Sequence, residues 1–478
     1  MNVNLMWFRN DLRLSDNSAL HFSCRNNAST VLALFIATPK QWERHCLAPK
    51  KKMLIYKNIV ALKKKITELG IIFYYYESTD YLESTNYIIE FCKIHKVTSI
   101  FFNLEYEFYE RQRDKIIKKK LKKNNIIINC FHDSVLITPG SIKNSYGKMY
   151  KKFSYFKYKC IKQLQLNIPS CFPKPQNKNL HDHYSLDFTI PIFHTYLEKF
   201  DANIFPIGED IVYEKLKFFI KYAFNKYNFD QEIFELNSTS MLSAHLSIGV
   251  ISPRQCVTLL FKEYPDIIHK LEECKWINEL LWREFYQHLL YFYPNIGQNQ
   301  SLYHWENRIK WDNNLYYLNL WKQGNTGYPI IDAGMRQLKQ LGWISNRLRM
   351  ITASFLVKNL LIDWRKGEEY FMSQLIDGDF ASNNGNWQWI ASVGTDSMPY
   401  FRIFNPMLQS KKFDINAKFI RKYIPELSNV STYNIHNPCD NNKTNKIHSK
   451  YPQPIINYYH SKKKTLLVFK HAKCSNKL

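Results

Sequence analysis

The stretch "TVLALFIA", residues 30–37, contains only apolar side chains after its first threonine. A continuous apolar run of this length indicates a strand that is buried on both faces. Runs of the same character are "NLMWF" (residues 4–8), "IIFYYYE" (71–77) and "SIFFN" (99–103), and helical stretches such as residues 50–69 separate them. This alternation predicts an α/β N-terminal domain whose parallel, Rossmann-like sheet has helices on both faces.

This first domain lacks the two common nucleotide-binding motifs. The sequence contains neither G-x-G-x-x-G nor G-x-x-x-x-G-K-[ST]. The standard dinucleotide-binding and P-loop classes are therefore excluded by motif.

The sequence changes character after the sheet-forming part. Prolines and polar residues mark residues 136–200, which predicts a long connector. From about residue 205 helical periods replace the strand signals, as in residues 277–290 and 346–364. These patterns predict a large all-α C-terminal domain with one buried cavity. The expected divisions are an α/β domain, a linker, a helical domain and a partly docked tail, at residues 1–134, 135–204, 205–430 and 431–478.

The composition favours a polyanionic partner. Lysine and arginine exceed aspartate and glutamate by 66 − 41 = 25 residues, and such a surplus favours nucleic acid. Drift of the gene toward A/T-rich codons explains much of this excess equally well, because the chain is also rich in Asn, Ile, Tyr and Phe.

No targeting or metal-binding pattern stands out. No apolar run reaches the ~18 residues that a membrane span needs, and the N-terminal residues lack a signal-peptide pattern. The ten cysteines are scattered, without a C-x-x-C pair or a metal-ligand cluster. Reduced thiols fit this usage. We therefore expect a cytoplasmic protein with no membrane contact and no metal site.

The stretch "WINELLWREFYQHLLYFYP", residues 276–294, predicts a helix with a mixed face. Glu279, Trp282, Arg283 and Tyr286 fall on one side of it, at spacings of three and four. For this helix alone, an aromatic core helix with a Glu–Arg pair at its edge is the favoured interpretation.

Two further segments bring polar groups to predicted helix starts. Thr239, Ser240 and Ser243 could cradle a diphosphate without a glycine-rich loop, although such residues are usually caps. In residues 342–371, amides and cations crowd one helix end, which suits phosphate or a polar ring. Capping with exposed arginines is the alternative.

The stretch "IDGDFASNNGNWQWIAS", residues 376–392, combines acids, amides and indoles. Asp377 and Asp379 have no histidine or third acid near them in the sequence, which disfavours a metal. Asn383 and Asn384 could hydrogen-bond the rim of a heteroaromatic ring. The two tryptophans lie two positions apart and point in different directions on a helix.

Together these segments resemble the DNA photolyase/cryptochrome family, and within it the bacterial class I photolyases that act on cyclobutane pyrimidine dimers. The resemblance covers nearly the whole chain, and several long motifs in order are more specific than any one pattern. It rests on "WFRNDLRLSDNSAL" (7–20), "TSMLSAHLSIGVISPRQ" (239–255), "WINELLWREFY" (276–286), "TGYPIIDAGMRQL" (326–338), "NRLRMITASFLVK" (346–358), "DWRKGEEYFMSQLIDGDFASNNGNWQW" (363–389) and "PYFRIFNP" (399–406).

The resemblance implies a carbon–carbon lyase that repairs DNA with light. In this family a helical domain holds FAD, and the damaged dinucleotide is extruded from the duplex into a pocket beside it. Excited reduced FAD donates one electron to the dimer, the cyclobutane bonds break, and the electron returns. The implied partner is damaged DNA, and the implied assembly is a monomer.

The family's FAD contacts carry over to five places in this sequence. Arg349 and Asp377 are expected to pair beside the flavin ring, and Asn383 to face its N5 atom. A negatively charged reduced flavin needs such a nearby cation. The set implied for FAD is Tyr227, Thr239, Ser240, Met241, Leu242, Ser243, Trp276, Asn346, Arg349, Asp377, Gly378, Asp379 and Asn383.

The family's substrate contacts carry over as well. Glu279 is expected to hydrogen-bond a pyrimidine carbonyl, and Trp282 and Trp389 to form an aromatic wall against the dimer. The set implied for DNA is Glu279, Trp282, Arg283, Tyr286, Asn346, Arg347, Met350 and Trp389. Catalytic roles are implied for Glu279, for Asn383 and for three tryptophans that pass electrons to photoexcited oxidised flavin, Trp387, Trp364 and Trp311.

The chain departs from the family pattern at positions that bind anions. Where relatives show Y-x-x-x-R-x-x-P, Tyr227 is followed by Gln231 and Phe234, and Met241 replaces a cation. A phosphate contact is therefore expected to be weaker.

The antenna site matches the family at one residue. Glu110 corresponds to a glutamate that binds the pterin of methenyltetrahydrofolate in relatives, whereas Tyr109 replaces the usual Asn. A folate antenna is therefore implied by the family but weakly supported by the residues.

Three other functions stay open. A cryptochrome, a blue-light receptor without repair activity, shares the fold, but plant members carry Asp and animal members Cys where this chain has Asn383. A (6-4) photolyase would show a histidine pair near Asn346. A DNA-binding helical protein without flavin would show broken FAD motifs. The residues favour dimer repair over all three.

Overall fold

The computed structural model describes residues 2–26, 28–176, 198–234, 238–298, 300–438 and 451–474. Parts of the predicted linker and tail, residues 177–197, 439–450 and 475–478, lie outside the described residues. The chain forms two compact units. Unit 1 comprises Met1–Asn225, Ser240–Gln298 and Ile376–Ala381, and unit 2 comprises Lys226–Thr239, Asn299–Leu375 and Ser382–Leu478.

Unit 1 contains a parallel sheet whose five strands have the order β3-β2-β1-β4-β5. The strands are β1 (Val3–Phe8), β2 (Thr30–Ala37), β3 (Ile72–Glu77), β4 (Ser99–Asn103) and β5 (Ile127–Phe131). The four predicted strands are confirmed. β5 was not predicted, because it is a short edge strand that pairs only with β4 and begins with an exposed residue, Ile127.

Helices alternate with these strands, as the sequence predicts. They are α1 (Ser18–Cys24), α2 (Pro39–Arg44), α3 (Pro49–Glu68), α4 (Tyr81–Ile94) and α5 (Phe108–Lys123). The predicted helix of residues 50–69 is α3. Aliphatic side chains such as Leu34 and Ile100 are fully buried in the core of this part, which confirms the predicted α/β class.

All other elements that the structure describes are helical, which confirms the predicted all-α part. The α-helices are α6 (Phe153–Leu166), α7 (Glu209–Phe218), α8 (Phe224–Asp230), α9 (Ser243–Ser247), α10 (Pro253–Glu263), α11 (Lys275–Phe292), α12 (Leu315–Gln323), α13 (Pro329–Leu341), α14 (Asn346–Ser354), α15 (Trp364–Gln374), α16 (Phe380–Ala391), α17 (Pro406–Phe413), α18 (Lys418–Tyr423) and α19 (Tyr458–Cys474). Single-turn π-helices occupy Phe219–Ala223 and Phe355–Asn359, and 3-10 helices occupy Pro265–Lys270, Pro294–Gln298, His304–Arg308 and Pro425–Leu427.

A buried ion network joins the sheet of unit 1 to its helical part. Arg254, on α10, donates to Asp16 at 3.0 Å and to Asp133 at 2.7 Å. Arg13 also pairs with Asp133. Although burial raises it, the two guanidinium groups hold the pKa of Asp133 below its usual range. Because the charges compensate one another, the network can stay buried without leaving an unpaired ion.

The core of unit 2 is built on large side chains. Trp321, Trp364 and Phe355 are at most 1% exposed. Such rings bury much apolar surface, so this core contributes strongly to the stability of the unit. Among the described helices of the whole chain, none is long and apolar enough to cross a membrane.

The described part of the tail packs onto unit 2. Phe469, on α19, is fully buried in the core cluster, and the hydroxyl of Tyr451 donates to Asp332 at 2.5 Å. Gly327 permits the close approach, because a Cβ atom there would lie 2.4 Å from the backbone of Gln453. A side chain at this position would therefore displace the tail.

Candidate functional site

The two acids of the 376–392 stretch belong to a short loop before α16. Lys51, on α3, donates a hydrogen bond to the carbonyl oxygen of Gly378 at 2.6 Å. Gln287, on α11, donates to Oδ2 of Asp379 at 3.2 Å. Asp377 is buried. Two helices of unit 1, α3 and α11, therefore hold this acidic loop.

The amides that follow belong to unit 2 and converge on Glu368 of α15. Asn383 donates to the backbone carbonyl of Glu368 at 3.0 Å. Asn384 donates to Oε1 of Glu368 at 3.3 Å and accepts from Gln388 at 2.7 Å. Since a carbonyl only accepts, the Asn383 amide nitrogen faces Glu368, and its oxygen is directed away as an acceptor for a ligand N–H.

Glu368 was not predicted as a site residue. It is buried, and burial raises the pKa of its carboxyl to about 7. A carboxyl with a raised pKa beside a predicted cofactor residue is a candidate for proton exchange near neutral pH. Its position four residues after Trp364 and four before Met372, both buried, could have placed it on the inner face of the helix.

The predicted diphosphate segment is polar and partly strained. The indole nitrogen of Trp276 donates to Oγ of Ser240 at 3.4 Å in unit 1. Met241 adopts a φ of 48°, which a residue with a Cβ rarely does. In unit 2, the buried Oγ of Ser238 has no hydrogen-bond partner among the described residues. A buried hydroxyl in that state fits a ligand oxygen.

Helix α14 carries the predicted cations of unit 2. Arg349 donates through Nε to the carbonyl of Ile344 at 3.0 Å. Arg347, predicted to hold phosphates, pairs with Glu232 and lies 4.8 Å from the ring centre of Phe413. An acid competes with a phosphate for the same guanidinium. The expected pair of Arg349 and Asp377 joins residues of different units and stays a prediction.

Helix α11 is confirmed, and the residues of its predicted face differ in how far they are buried. Glu279 is exposed, whereas Tyr286 is 2% exposed. Trp282 stacks on Phe153 with ring centres 3.7 Å apart and planes 8° apart. Arg283 donates to the carbonyl of Ser134 at 2.6 Å. Trp282 is thus held by its neighbours, while Glu279 is accessible to solvent.

A second acid on α11 was not predicted. Glu284 is fully buried and accepts from the backbone N–H of Leu136 at 2.8 Å and of Ile137 at 3.3 Å. Burial raises the pKa of Glu284 to about 7. Because its partners are backbone groups of the predicted linker, Glu284 fastens the first residues of that linker to α11.

The predicted electron chain of unit 2 runs through differently buried tryptophans. Trp387 and Trp364 are 2% and 0% exposed, and Trp311 is half-buried. The indole nitrogen of Trp364 has no hydrogen-bond partner among the described residues. Trp387 also contacts Trp321, with ring centres 6.3 Å apart. Sequence reasoning missed Trp321, because a lone tryptophan is usually core.

The predicted antenna residues lie in unit 1 and differ in environment. Tyr109 is 40% exposed. Glu110 is buried and accepts from the Tyr81 hydroxyl at 2.6 Å through Oε1, and His45 lies 3.6 Å from the same oxygen. Its Oε2 atom has no partner among the described residues. That oxygen fits a donor N–H of a heterocycle.

Comparison with known proteins yields two family models. The model described as "DNA photolyase" matches residues 4–176, and the model "FAD binding domain of DNA photolyase" matches residues 276–471. Deoxyribodipyrimidine photo-lyases similar to the chain occur in Buchnera aphidicola, at 50% identity over 99% of this chain and 98% of the relative, and in Escherichia coli, at 41% over 99% of each.

Solved structures have the same architecture. A bacterial class III photolyase from Agrobacterium tumefaciens superposes with a TM-score of 0.82 at 29% identity, covering 99% of this chain and 98% of that one. A cryptochrome from Synechocystis has a TM-score of 0.82 at 27% identity, covering 98% and 99%. The fold is therefore shared with both a photolyase and a cryptochrome.

Proposed function

The chain belongs to the DNA photolyase family, and we propose that it repairs cyclobutane pyrimidine dimers in DNA by light-driven electron transfer, with FAD as its cofactor. The observation that carries this proposal is the similarity over nearly the whole chain to relatives named deoxyribodipyrimidine photo-lyase, and the Asn383–Glu368 contact is compatible with it. When bound, FAD absorbs light and supplies the electron that splits the dimer.

The residues present fit FAD in both units. Unit 2 offers two groups: the hydroxyl of Ser238, which has no partner among the described residues, to a phosphate oxygen, and the oxygen of Asn383 to a ring N–H. Unit 1 offers the buried carboxylate of Asp377. Arg349 and Asp377 are among the proposed FAD contacts. The other proposed FAD contacts are Tyr227, Thr239, Ser240, Met241, Leu242, Ser243, Trp276, Asn346, Gly378 and Asp379.

The proposed substrate residues orient the flipped dimer. Trp282, held by Phe153, presents a rigid indole for stacking. Exposed Glu279, in its protonated form, donates a hydrogen bond to a pyrimidine carbonyl. Arg347 can bind a phosphate only when it leaves Glu232. Further proposed DNA contacts are Arg283, Tyr286, Asn346, Met350 and Trp389.

The proposed electron chain leads outward from Trp387 through Trp364 to Trp311. Trp364 keeps its proton, since its buried indole N–H has no acceptor among the described residues. The hole created there therefore moves on to half-buried Trp311, where water can take up a proton.

The remaining assignments are proposals as well. We assign residues 1–134 to the α/β domain, 135–204 to the linker, 205–430 to the helical domain and 431–478 to the tail. The protein works as a monomer in the cytoplasm; the nine cysteines that the structure describes form no disulfide with one another, which fits a reducing compartment. A folate antenna is supported by the free oxygen of Glu110 and not by Tyr109.

The test is light-dependent repair of an oligonucleotide that carries one pyrimidine dimer. We expect the purified protein to show a flavin absorption spectrum and to repair the dimer in light but not in darkness. Glu279→Ala should lower repair and retain FAD, while the exposed control Glu273→Ala should match the wild type. Absence of repair with reduced flavin bound contradicts the proposal and favours the cryptochrome alternative.

A further inference from the structure

A buried lysine lies against the backbone between the two proposed flavin acids. Lys51, on α3, is 6% exposed. Its Nζ atom donates to the carbonyl oxygen of Gly378 at 2.6 Å, and Gly378 stands between Asp377 and Asp379. Burying an ammonium group is costly unless it is paired and hydrogen-bonded. A lysine in this position therefore needs a reason specific to the site.

The surroundings of Lys51 are strongly acidic. Burial lowers the pKa of Lys51, and the carboxylates of Asp379, Asp377, Glu107 and Glu105 act in the opposite direction. Burial, together with the neighbouring carboxylates, raises the pKa of Glu107 to about 8. Several carboxylates thus share one buried region of unit 1. Because Arg113 already pairs with Glu105 at 2.8 Å, the ammonium group of Lys51 mainly offsets the charges of the other three carboxylates.

The acidic loop has a second anchor of different chemistry. Gln287 donates to the side chain of Asp379 at 3.2 Å, so α11 holds a carboxylate while α3 holds the backbone. An amide can fix a carboxylate but adds no charge. Lys51 contributes both a donor and a charge, and the two contributions can be separated by substitution.

We infer that Lys51 is a positioning residue of the flavin site: it holds the backbone at Gly378 and so presents Asp377 and Asp379 to FAD. This inference rests on the proposed function, which assigns those acids to the cofactor. The charge of Lys51 also makes the region less negative, which favours the anionic reduced flavin. A residue of the α/β half thereby takes part in binding a cofactor whose family model begins at residue 276.

The experiment compares Lys51→Met, Lys51→Gln and the control Lys64→Gln, an exposed lysine on the same helix. Lys51→Met removes donor and charge, and we expect the FAD dissociation constant to rise about tenfold, the usual effect of losing a hydrogen bond from a charged group. Lys51→Gln keeps a donor for Gly378, and we expect a rise of roughly two- to threefold. Both variants should lower the flavin reduction potential, and the control should leave both quantities unchanged.

Urea unfolding of the same proteins separates positioning from simple packing. If Lys51→Met loses stability but keeps the FAD affinity and the reduction potential of Lys64→Gln, the inference is overturned. If the two Lys51 variants differ from the control as expected, it is supported. Failure of the proposed function gives a different result from failure of this inference, because the wild type would then bind FAD but would not repair dimers.

Discussion

The side-chain amide of Asn383, on α16, donates a hydrogen bond to the backbone carbonyl of Glu368, on α15, at 3.0 Å. Both residues are buried. Because a backbone carbonyl accepts only, this contact fixes which end of the amide points away from it. Two residues fifteen positions apart thereby determine the hydrogen-bonding character of the proposed flavin edge.

Asn383→Ala removes this contact and leaves the Glu368 carbonyl without its donor. We expect the free energy of unfolding to fall by about 1–3 kcal/mol, because the buried carbonyl is left unsatisfied. We also expect the spectrum of bound reduced flavin to change. Asn386→Ala, an exposed position on the same helix, is the control. An unchanged spectrum in Asn383→Ala would show that Asn383 does not contact the ring.

Glu368→Gln removes a carboxyl whose pKa burial raises to about 7, from an ordinary value of 4.5. A raised pKa means that the folded state binds the proton of Glu368 more tightly than the unfolded state does. The protonated carboxyl therefore contributes its full stability below about pH 4.5, and this contribution is lost as the pH rises through 7. Relative to the variant, the wild type should lose roughly 2–3 kcal/mol between about pH 5 and pH 8. Urea unfolding at several pH values measures this difference.

The matched control for that series is Glu369→Gln, which alters the exposed neighbouring carboxyl. It should keep most of the pH dependence of the wild type, because Glu369 is the smallest of the causes that act on the pKa of Glu368. If wild type and Glu368→Gln respond to pH alike, Glu368 titrates near its ordinary value.

Gly367→Ala tests the packing around Trp387. Alanine is favoured over glycine in a helix by about 1 kcal/mol, but a Cβ atom here would lie 2.2 Å from Cη2 of Trp387. Overpacking typically costs about 1–3 kcal/mol, so we expect a net loss of stability in urea unfolding. In a Trp387→Phe background, which lacks that ring atom, the loss should shrink. If Gly367→Ala lowers the stability equally in both backgrounds, the strain does not arise from contact with Trp387.

Trp364→Phe should interrupt the supply of electrons to oxidised flavin. Phenylalanine is much harder to oxidise than tryptophan, so we expect photoreduction to slow about tenfold or more, a barrier increase of at least about 1.4 kcal/mol. Repair by chemically reduced enzyme should persist. Trp42→Phe, a half-buried tryptophan of unit 1, is the control. If Trp364→Phe is photoreduced at the wild-type rate, Trp364 does not take part in electron transfer to the flavin.

Much of the fold could be predicted from local sequence patterns. The continuous apolar runs at residues 30–37 and 99–103 predicted strands that the structure confirms, because a strand buried on both faces must be apolar throughout. The strand Ile127–Phe131 was not predicted, because Asn129 interrupts its apolar run and none of its residues is buried. The helix Lys275–Phe292 was predicted correctly from its period.

Only part of the candidate site could be predicted from the sequence. Acids, amides and indoles of residues 376–392 stood out by composition, and family motifs assigned them roles. Glu368 and Glu284 did not stand out, because nothing in a sequence states whether a particular glutamate is covered by neighbours. Their raised pKa values result from burial, which depends on what packs over them.

By itself the sequence determined the alternation of strands and helices and the order of the motifs, since both depend on residues close together in the chain. Only the tertiary structure decided that Glu279 is exposed, that Trp282 stacks on Phe153, and that Lys51 reaches Gly378 across 327 positions. Contacts of that separation leave no periodic trace in a sequence, because they arise when distant elements pack and exclude water from the groups between them.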